Sequence, residues 1–145
     1  ASDPEGTGSR NAMQQALNEA SISLEQVDYI NTHGTSTPIG DVAEVKAIQD
    51  LFGKHAYNIS LTSSKSMMGH LLGGSGAVEA IISLLSMQHS MVTPTINHEE
   101  GDEDPKIDYK LNFTFNQAQS RDIHYAMSNN FGFGGHNACL LFKKL

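Results

Sequence analysis

Apolar positions recur at helical spacing in three stretches of the chain, and short runs of β-formers occupy five others. Residues 9–20 place Met13, Ala16, Leu17 and Ala20 on one helical face, with Ser9 as the expected N-cap. Residues 41–52 repeat the pattern at Val42, Val45, Ala47, Ile48 and Phe52, with Pro38 suited to the approach and Gly53 to the stop. The third stretch, residues 77–90, is apolar nearly all round apart from Glu79, so it predicts a helix buried on every side. Strands are expected at 27–31, 59–63, 111–115, 123–128 and 137–142. Residues 1–8 read as a loop, and 93–105 as an extended and then acidic connection. The order α-β-α-β-α followed by strands predicts an α/β fold, a mixed sheet with layered helices. No internal repeat or interdomain linker breaks it, and 145 residues suit one domain. The glycines before the third helix fit close backbone packing better than flexibility.

Charge adds one local feature. Nine Lys and Arg stand against sixteen Asp and Glu, a net charge of −7, and residues 99–104 hold five of the acids. That run reads as a solvated loop and lacks the spacing of a calcium loop. No basic stripe favours nucleic acid, no apolar run is long enough for a membrane span, and the N-terminus does not resemble a signal peptide. A cytoplasmic location is expected. The start at Ala1 rather than Met points to a piece of a longer protein, and the two N-glycosylation sequons then carry little meaning. A single cysteine, Cys139, excludes an intrachain disulfide and a cysteine-based zinc site.

Seven histidines invite a metal reading, but none stands in an H-E-x-x-H pattern. His55, His89, His98 and His124 sit singly, as surface or hydrogen-bonded core residues do. His33 follows a strand, in Asn31-Thr32-His33-Gly34-Thr35-Ser36-Thr37, where α/β sheets bind ligands; taken alone, the segment reads more readily as turn and capping chemistry. His70 precedes the apolar helix, and a helix N-terminus with Lys65 nearby opposes its protonation, leaving a neutral donor suited to an enolate or oxyanion. Gly132-Phe133-Gly134-Gly135 is either a tight turn or a hinge-mounted gate. Glu79, an acid in an apolar helix, needs a buried partner: a monovalent cation or Lys65 would both serve.

Three motifs in order, N-x-H-G-T-S-T-P-x-G-D from Asn31, K-S-M-x-G-H-L-L-G from Lys65 and N-x-F-G-F-G-G-x-N-A from Asn129, resemble the C-terminal half of the β-ketoacyl-ACP synthases, the condensing enzymes of fatty acid synthesis. The resemblance covers nearly the whole chain. It implies a thiolase-like fold of two similar halves, of which residues 1–145 are the second. It also implies a homodimer in the full-length protein, no required cofactor, and acyl carrier protein as partner, carrying first the acyl and then the malonyl group. The family reaction is a decarboxylative Claisen condensation.

On that resemblance His33 and His70 match the two histidines of a Cys-His-His triad, and Lys65 matches the lysine that holds the His70 environment. Phe133 matches the gating phenylalanine and oxyanion-hole N–H, Phe131 lines the same pocket, and Thr35 and Thr37 match the pantetheine-binding threonines. Asn31, Glu79, Ser128 and Asn129 match a structural Na+ or K+ site. The nucleophilic cysteine belongs to the absent first half, and Cys139 matches no nucleophile motif, so the isolated chain is expected to be inactive and to self-associate through its inter-half face. His136, Asn130 and Gly74-Ser75 depart from the family pattern without touching the triad. Related polyketide ketosynthases and chain-length-factor-like subunits share the motifs. An unrelated binding domain is the remaining alternative.

Overall fold

The computed structural model describes residues 3–145, with the side chain of Phe133 outside the described part. The elements in chain order are α1 (Thr7–Ala20), β1 (Tyr29–Asn31), α2 (Gly40–Phe52), β2 (Ser60–Thr62), α3 (Lys65–Met68), α4 (Ser75–His89), β3 (Met91–Val92), β4 (Gln119–Ser120), β5 (Tyr125–Phe131) and β6 (Asn137–Lys143). The main sheet has the order β2-β1-β5-β6, parallel except for the antiparallel β5–β6 pair, and β3 pairs with β4 as a separate ribbon. The expected mixed α/β sheet is what forms.

Strand alternation sorts the core into two layers. Ile30 and Met127 face one way and pack with Met13 and Leu17 of α1 and Val45, Ala47, Ile48 and Phe52 of α2. Tyr29, Ala126 and Phe142 face the other way and pack with Met87 of α4, Val92 and Ile123. Both sides of β1 are covered, and all three of its residues are buried, as befits a central parallel strand.

Local chemistry corrects the expected boundaries. Helix α1 begins at Thr7, not after Ser9, because the Asp3 carboxylate accepts the N–H groups of Glu5 and Thr7, each at 3.0 Å, and Gly6 turns the chain with φ 65°. Residues 111–115 form no strand. Asn112 makes one isolated bridge to Ser60 and Phe115 one to Thr95. Between them the Asn112 carboxamide captures the Thr114 N–H at 3.1 Å, and Thr114 itself adopts φ 53°, which breaks the extended run.

Helix α4 departs most from expectation. Its buried residues are Ser75, Glu79, Ser83, Ser86 and Met87, while Ile81, Leu84 and Leu85 are about half exposed (56%, 47% and 47%). The helix turns a mostly polar stripe toward the sheet and an apolar one outward. Ile82, Leu85, Ser86, His89, Met91 and Thr93 line a shallow cavity beside that outer face. The glycines ahead of α4 do not all serve close packing: a Cβ at Gly73 would meet nothing, whereas one at Gly76 would approach the Asn130 amide at 3.6 Å.

Candidate active site

The C-terminal ends of the parallel strands β1, β2 and β5 lie together, where helices and loops leave an opening above a sheet. From β1 the chain runs into His33, from β2 into Ser63 and Lys65, and β5 ends at Phe131. The His33 and His70 rings meet edge to face with centroids 5.7 Å apart, and Phe131 lies 5.8 Å from His33. A cavity of about 740 Å3 adjoins them, bounded near the histidines by Thr35, Asp41, Glu44, Lys65 and His70 and at its far end by aromatic side chains.

His33 is held by its backbone. Its N–H and that of Gly34 donate to the two carboxylate oxygens of Glu44, each at 2.9 Å. Gly34 has φ 37°, and a Cβ there would lie 2.7 Å from Thr32 Oγ1 and 2.8 Å from Ser63, so only glycine permits this turn. The Ser63 hydroxyl donates to the Gly34 carbonyl at 2.6 Å and closes the β1 loop onto the β2 loop. His33 Nδ1 is buried and finds no hydrogen-bond partner among the described residues. Burial, then the charge of Lys65, then His70 push the imidazole down to about 4, so it is neutral near pH 7.

Glu44 is fully enclosed and also accepts the Asn129 amide at 3.2 Å. Burial pushes its carboxyl up to about 7 even though the Gly34, His33 and Asn129 donors favour the charged form. Beside it, burial lifts the Asp41 carboxyl above its ordinary range against the backbone donors of Ser36, Thr37 and Thr35. Neither acid was singled out from the sequence. A signal existed for Glu44: it stands three and four residues before Ala47 and Ile48, on the apolar face of α2, the same anomaly that draws attention to Glu79.

Lys65 resolves the question of Glu79. Its ammonium pairs directly with Glu79 Oε1, with side-chain exposures of 5% and 0%, and the Asn130 amide donates to Oε2 at 2.9 Å. Removing one member of such a buried pair typically costs about 3–5 kcal/mol. The proposed cation ligands do not converge as one set of side chains. Asn31 and Ser128 face α4 near Glu79, and Asn31 Oδ1 and Ser128 Oγ are buried without partners. Asn129 is the next residue along β5, so its side chain emerges on the opposite face, toward Met13 and Glu44. Because the Asn129 side chain is turned away, the four side chains do not converge on one point.

The remaining expected residues have mixed placements. Thr35 lines the cavity and lies 3.3 Å, hydroxyl to hydroxyl, from Thr37, whose oxygen is spent accepting the Gly40 N–H at 3.2 Å near the start of α2. The expected gate residue Phe133 lies, as a side chain, outside the described residues. Around it Gly134 and Gly135 have φ 79° and 81°, and the Gly132 N–H donates to the His136 carbonyl at 2.7 Å. Cys139 sits in β6, its thiol pushed up to about 12 by burial and by Glu44, the chemistry of an inert thiol. His98 is no isolated surface residue: it stacks on Phe115 with centroids 3.8 Å apart, in a cluster with Tyr109 and Phe113 that walls the far end of the cavity. The acidic run is mostly exposed, but Asp102 reaches the cavity and Glu103 lies 3.6 Å from His98 Nε2.

One histidine after β1 and one before α4, each held by a buried polar group, bring two ring donors together, the arrangement that stabilising a developing negative charge requires. The fold that carries them is the thiolase-like fold of the ketosynthases. Residues 1–99 match the family described as "Beta-ketoacyl synthase, C-terminal domain", and the chain belongs to that family. It is 53% identical to the 3-oxoacyl-[acyl-carrier-protein] synthase 2 of Staphylococcus aureus (strain COL), over 97% of this chain and 33% of that protein. It superposes with a TM-score of 0.89 on a β-ketoacyl synthase from Burkholderia phymatum STM815, at 39% identity over 98% of this chain and 33% of that one. The corresponding TM-score is 0.92, at 32% identity over 99% of this chain and 34% of the other, for a type II PKS ketosynthase solved in complex with its acyl-carrier protein, bound to the hexaketide. The chain thus spans about a third of the length of the curated relatives it matches. Among the described residues, no helix is long and apolar enough to cross a membrane.

Proposed function

We propose that these residues are the C-terminal half of an elongating condensing enzyme of fatty acid synthesis, a cytoplasmic homodimer of the 3-oxoacyl-[acyl-carrier-protein] synthase II kind. The observation that carries the reading is the edge-to-face His33–His70 pair beside the cavity, with His33 neutral and the Leu72 N–H pointing at His70 Nδ1, which leaves Nε2 as the donor. In the reaction, an acyl group passes from acyl carrier protein to a cysteine supplied by the other half. Malonyl-ACP follows. Its C–C bond breaks, CO2 leaves, and the bonding pair moves into an enolate on the thioester oxygen. Hydrogen bonds from His33 and His70 to that oxygen stabilise the enolate, and the carbanion carbon then attacks the acyl thioester and expels the cysteine thiolate. One preorganised donor of this kind is worth roughly 3 kcal/mol.

Lys65 is the counter-charge of Glu79, and its charge adds to the burial that keeps His33 neutral. Thr35, with Thr37 behind it, meets the pantetheine arm in the cavity. Phe131 and Phe133 close the acyl side, where the Phe133 N–H serves the oxyanion of the acyl intermediate. The polyketide reading shares this chemistry; the higher identity to relatives named 3-oxoacyl-[acyl-carrier-protein] synthase 2 than to the type II PKS ketosynthase favours the first. A chain-length-factor role is disfavoured by the retention of His33, Lys65 and His70.

The longer protein containing this chain, given acyl-ACP and malonyl-ACP, tests the histidine roles. His33→Ala or His70→Ala should each slow CO2 release by about 10²–10³-fold, the usual effect of losing one such donor. Unchanged CO2 release in both variants would remove the assignment.

A further inference from the structure

Ser75 opens α4 with none of its surface exposed, and its hydroxyl stands at a junction of three groups. Its oxygen accepts the Leu71 N–H at 2.9 Å and lies 3.1 Å from His70 Nδ1. The Leu72 N–H points at the same Nδ1 from 3.0 Å. A backbone N–H only donates, so Nδ1 is the unprotonated nitrogen, and the ring proton sits on Nε2. With Nδ1 unprotonated, the Ser75 O–H is the donor in their 3.1 Å contact and shares the Nδ1 lone pair with the Leu72 N–H.

The loop between the two residues is shaped for this contact. Leu72 has φ 51°, a left-handed conformation disfavoured for leucine, and its side chain is 72% exposed, so packing does not hold it there. What holds the turn is polar: the Leu72 N–H on His70, the Leu71 N–H on Ser75, and the Gly74 N–H on the Leu71 carbonyl at 2.9 Å. His70 is otherwise exposed, with an edge contact to His33.

We propose that Ser75 is a positioning residue for His70: its buried hydroxyl, together with the Leu72 N–H, locks the imidazole in one orientation and in the Nε2–H tautomer, so that a single donor faces the cavity. The catalytic consequence rests on the condensing function proposed above; the tautomer does not.

The test uses the longer, cysteine-bearing protein labelled with 15N-histidine, the His70 signals being assigned by their loss in His70→Asn. The wild type should show Nδ1 as a pyridine-like, unprotonated nitrogen and Nε2 as protonated. In Ser75→Ala the two signals should move toward an average of tautomers. The kcat for CO2 release from malonyl-ACP should fall about 3–10-fold, the effect of one net hydrogen bond, with KM little changed. Ser75→Thr keeps the hydroxyl and should restore both readouts. A protonated Nδ1 in the wild type overturns the proposal even if Ser75→Ala fails to fold. So does a folded Ser75→Ala with unaltered nitrogen signals and kcat. A wild type with the stated tautomer, lost in a folded Ser75→Ala, but with no condensation supports the positioning role and refutes the functional reading alone.

Discussion

At His33 and Glu44, two neighbouring groups give stability opposite dependences on pH. His33 is lowered from 6.5 to about 4, first by burial and then by Lys65 and His70. A lowered group adds stability that is full above its unfolded value and is lost as pH falls toward the folded one. Glu44 is raised from 4.5 to about 7 by burial, so its contribution is full below 4.5 and is lost as pH rises through 7. Over the shared window the two slopes oppose. Urea unfolding of the longer protein against pH should show that Glu44→Gln removes a fall in stability between about 4.5 and 7, and that His33→Gln removes a rise between about 4 and 6.5. Wild-type and variant curves running parallel across these windows would contradict the assignment. Of these groups, His33, His70 and Lys65 were legible in the chain because each stands in a motif with glycine and hydroxyl neighbours. Glu44 and Ser75 were not: they act through backbone N–H groups and a ring nitrogen brought close only by the fold.

At the scale of elements, helical periodicity located α1, α2 and α4 to within a few residues, because a side chain every third or fourth position is a local property. It did not reveal the rotation of α4. An all-round apolar helix reads as buried, yet here Ser75, Glu79, Ser83 and Ser86 face inward while Ile81, Leu84 and Leu85 face out. The buried polar stripe is satisfied in part by Lys65, Asn130 and His70, which come from other elements. The run at 111–115 failed as a strand for the opposite reason, since a local side-chain-to-backbone bond at Asn112 competes with the ladder. Covering three half-exposed aliphatic side chains is worth on the order of a few kcal/mol at about 25 cal/mol per Å2. The isolated 145-residue chain is therefore expected to self-associate, and Ile81→Glu with Leu85→Glu should reduce its mass in light scattering. A monomeric parent chain would show that this face needs no cover.

For the molecule as a whole, the parts of the site belong to different chain segments: His33 follows β1, His70 precedes α4, and Lys65 follows β2. The single thiol, Cys139, is in β6 with its ionisation suppressed by burial and by Glu44. The chain spans about a third of the length of its relatives. On the proposed function, these residues complete a condensing site whose nucleophile lies in the other part of the protein. The test follows the conversion of acyl-ACP and malonyl-ACP to 3-oxoacyl-ACP and CO2 by the longer protein and by this chain alone. The longer protein should turn over and the isolated chain should not. Turnover by the 145 residues alone, or none by a folded longer protein with its cysteine intact, would contradict the proposed function.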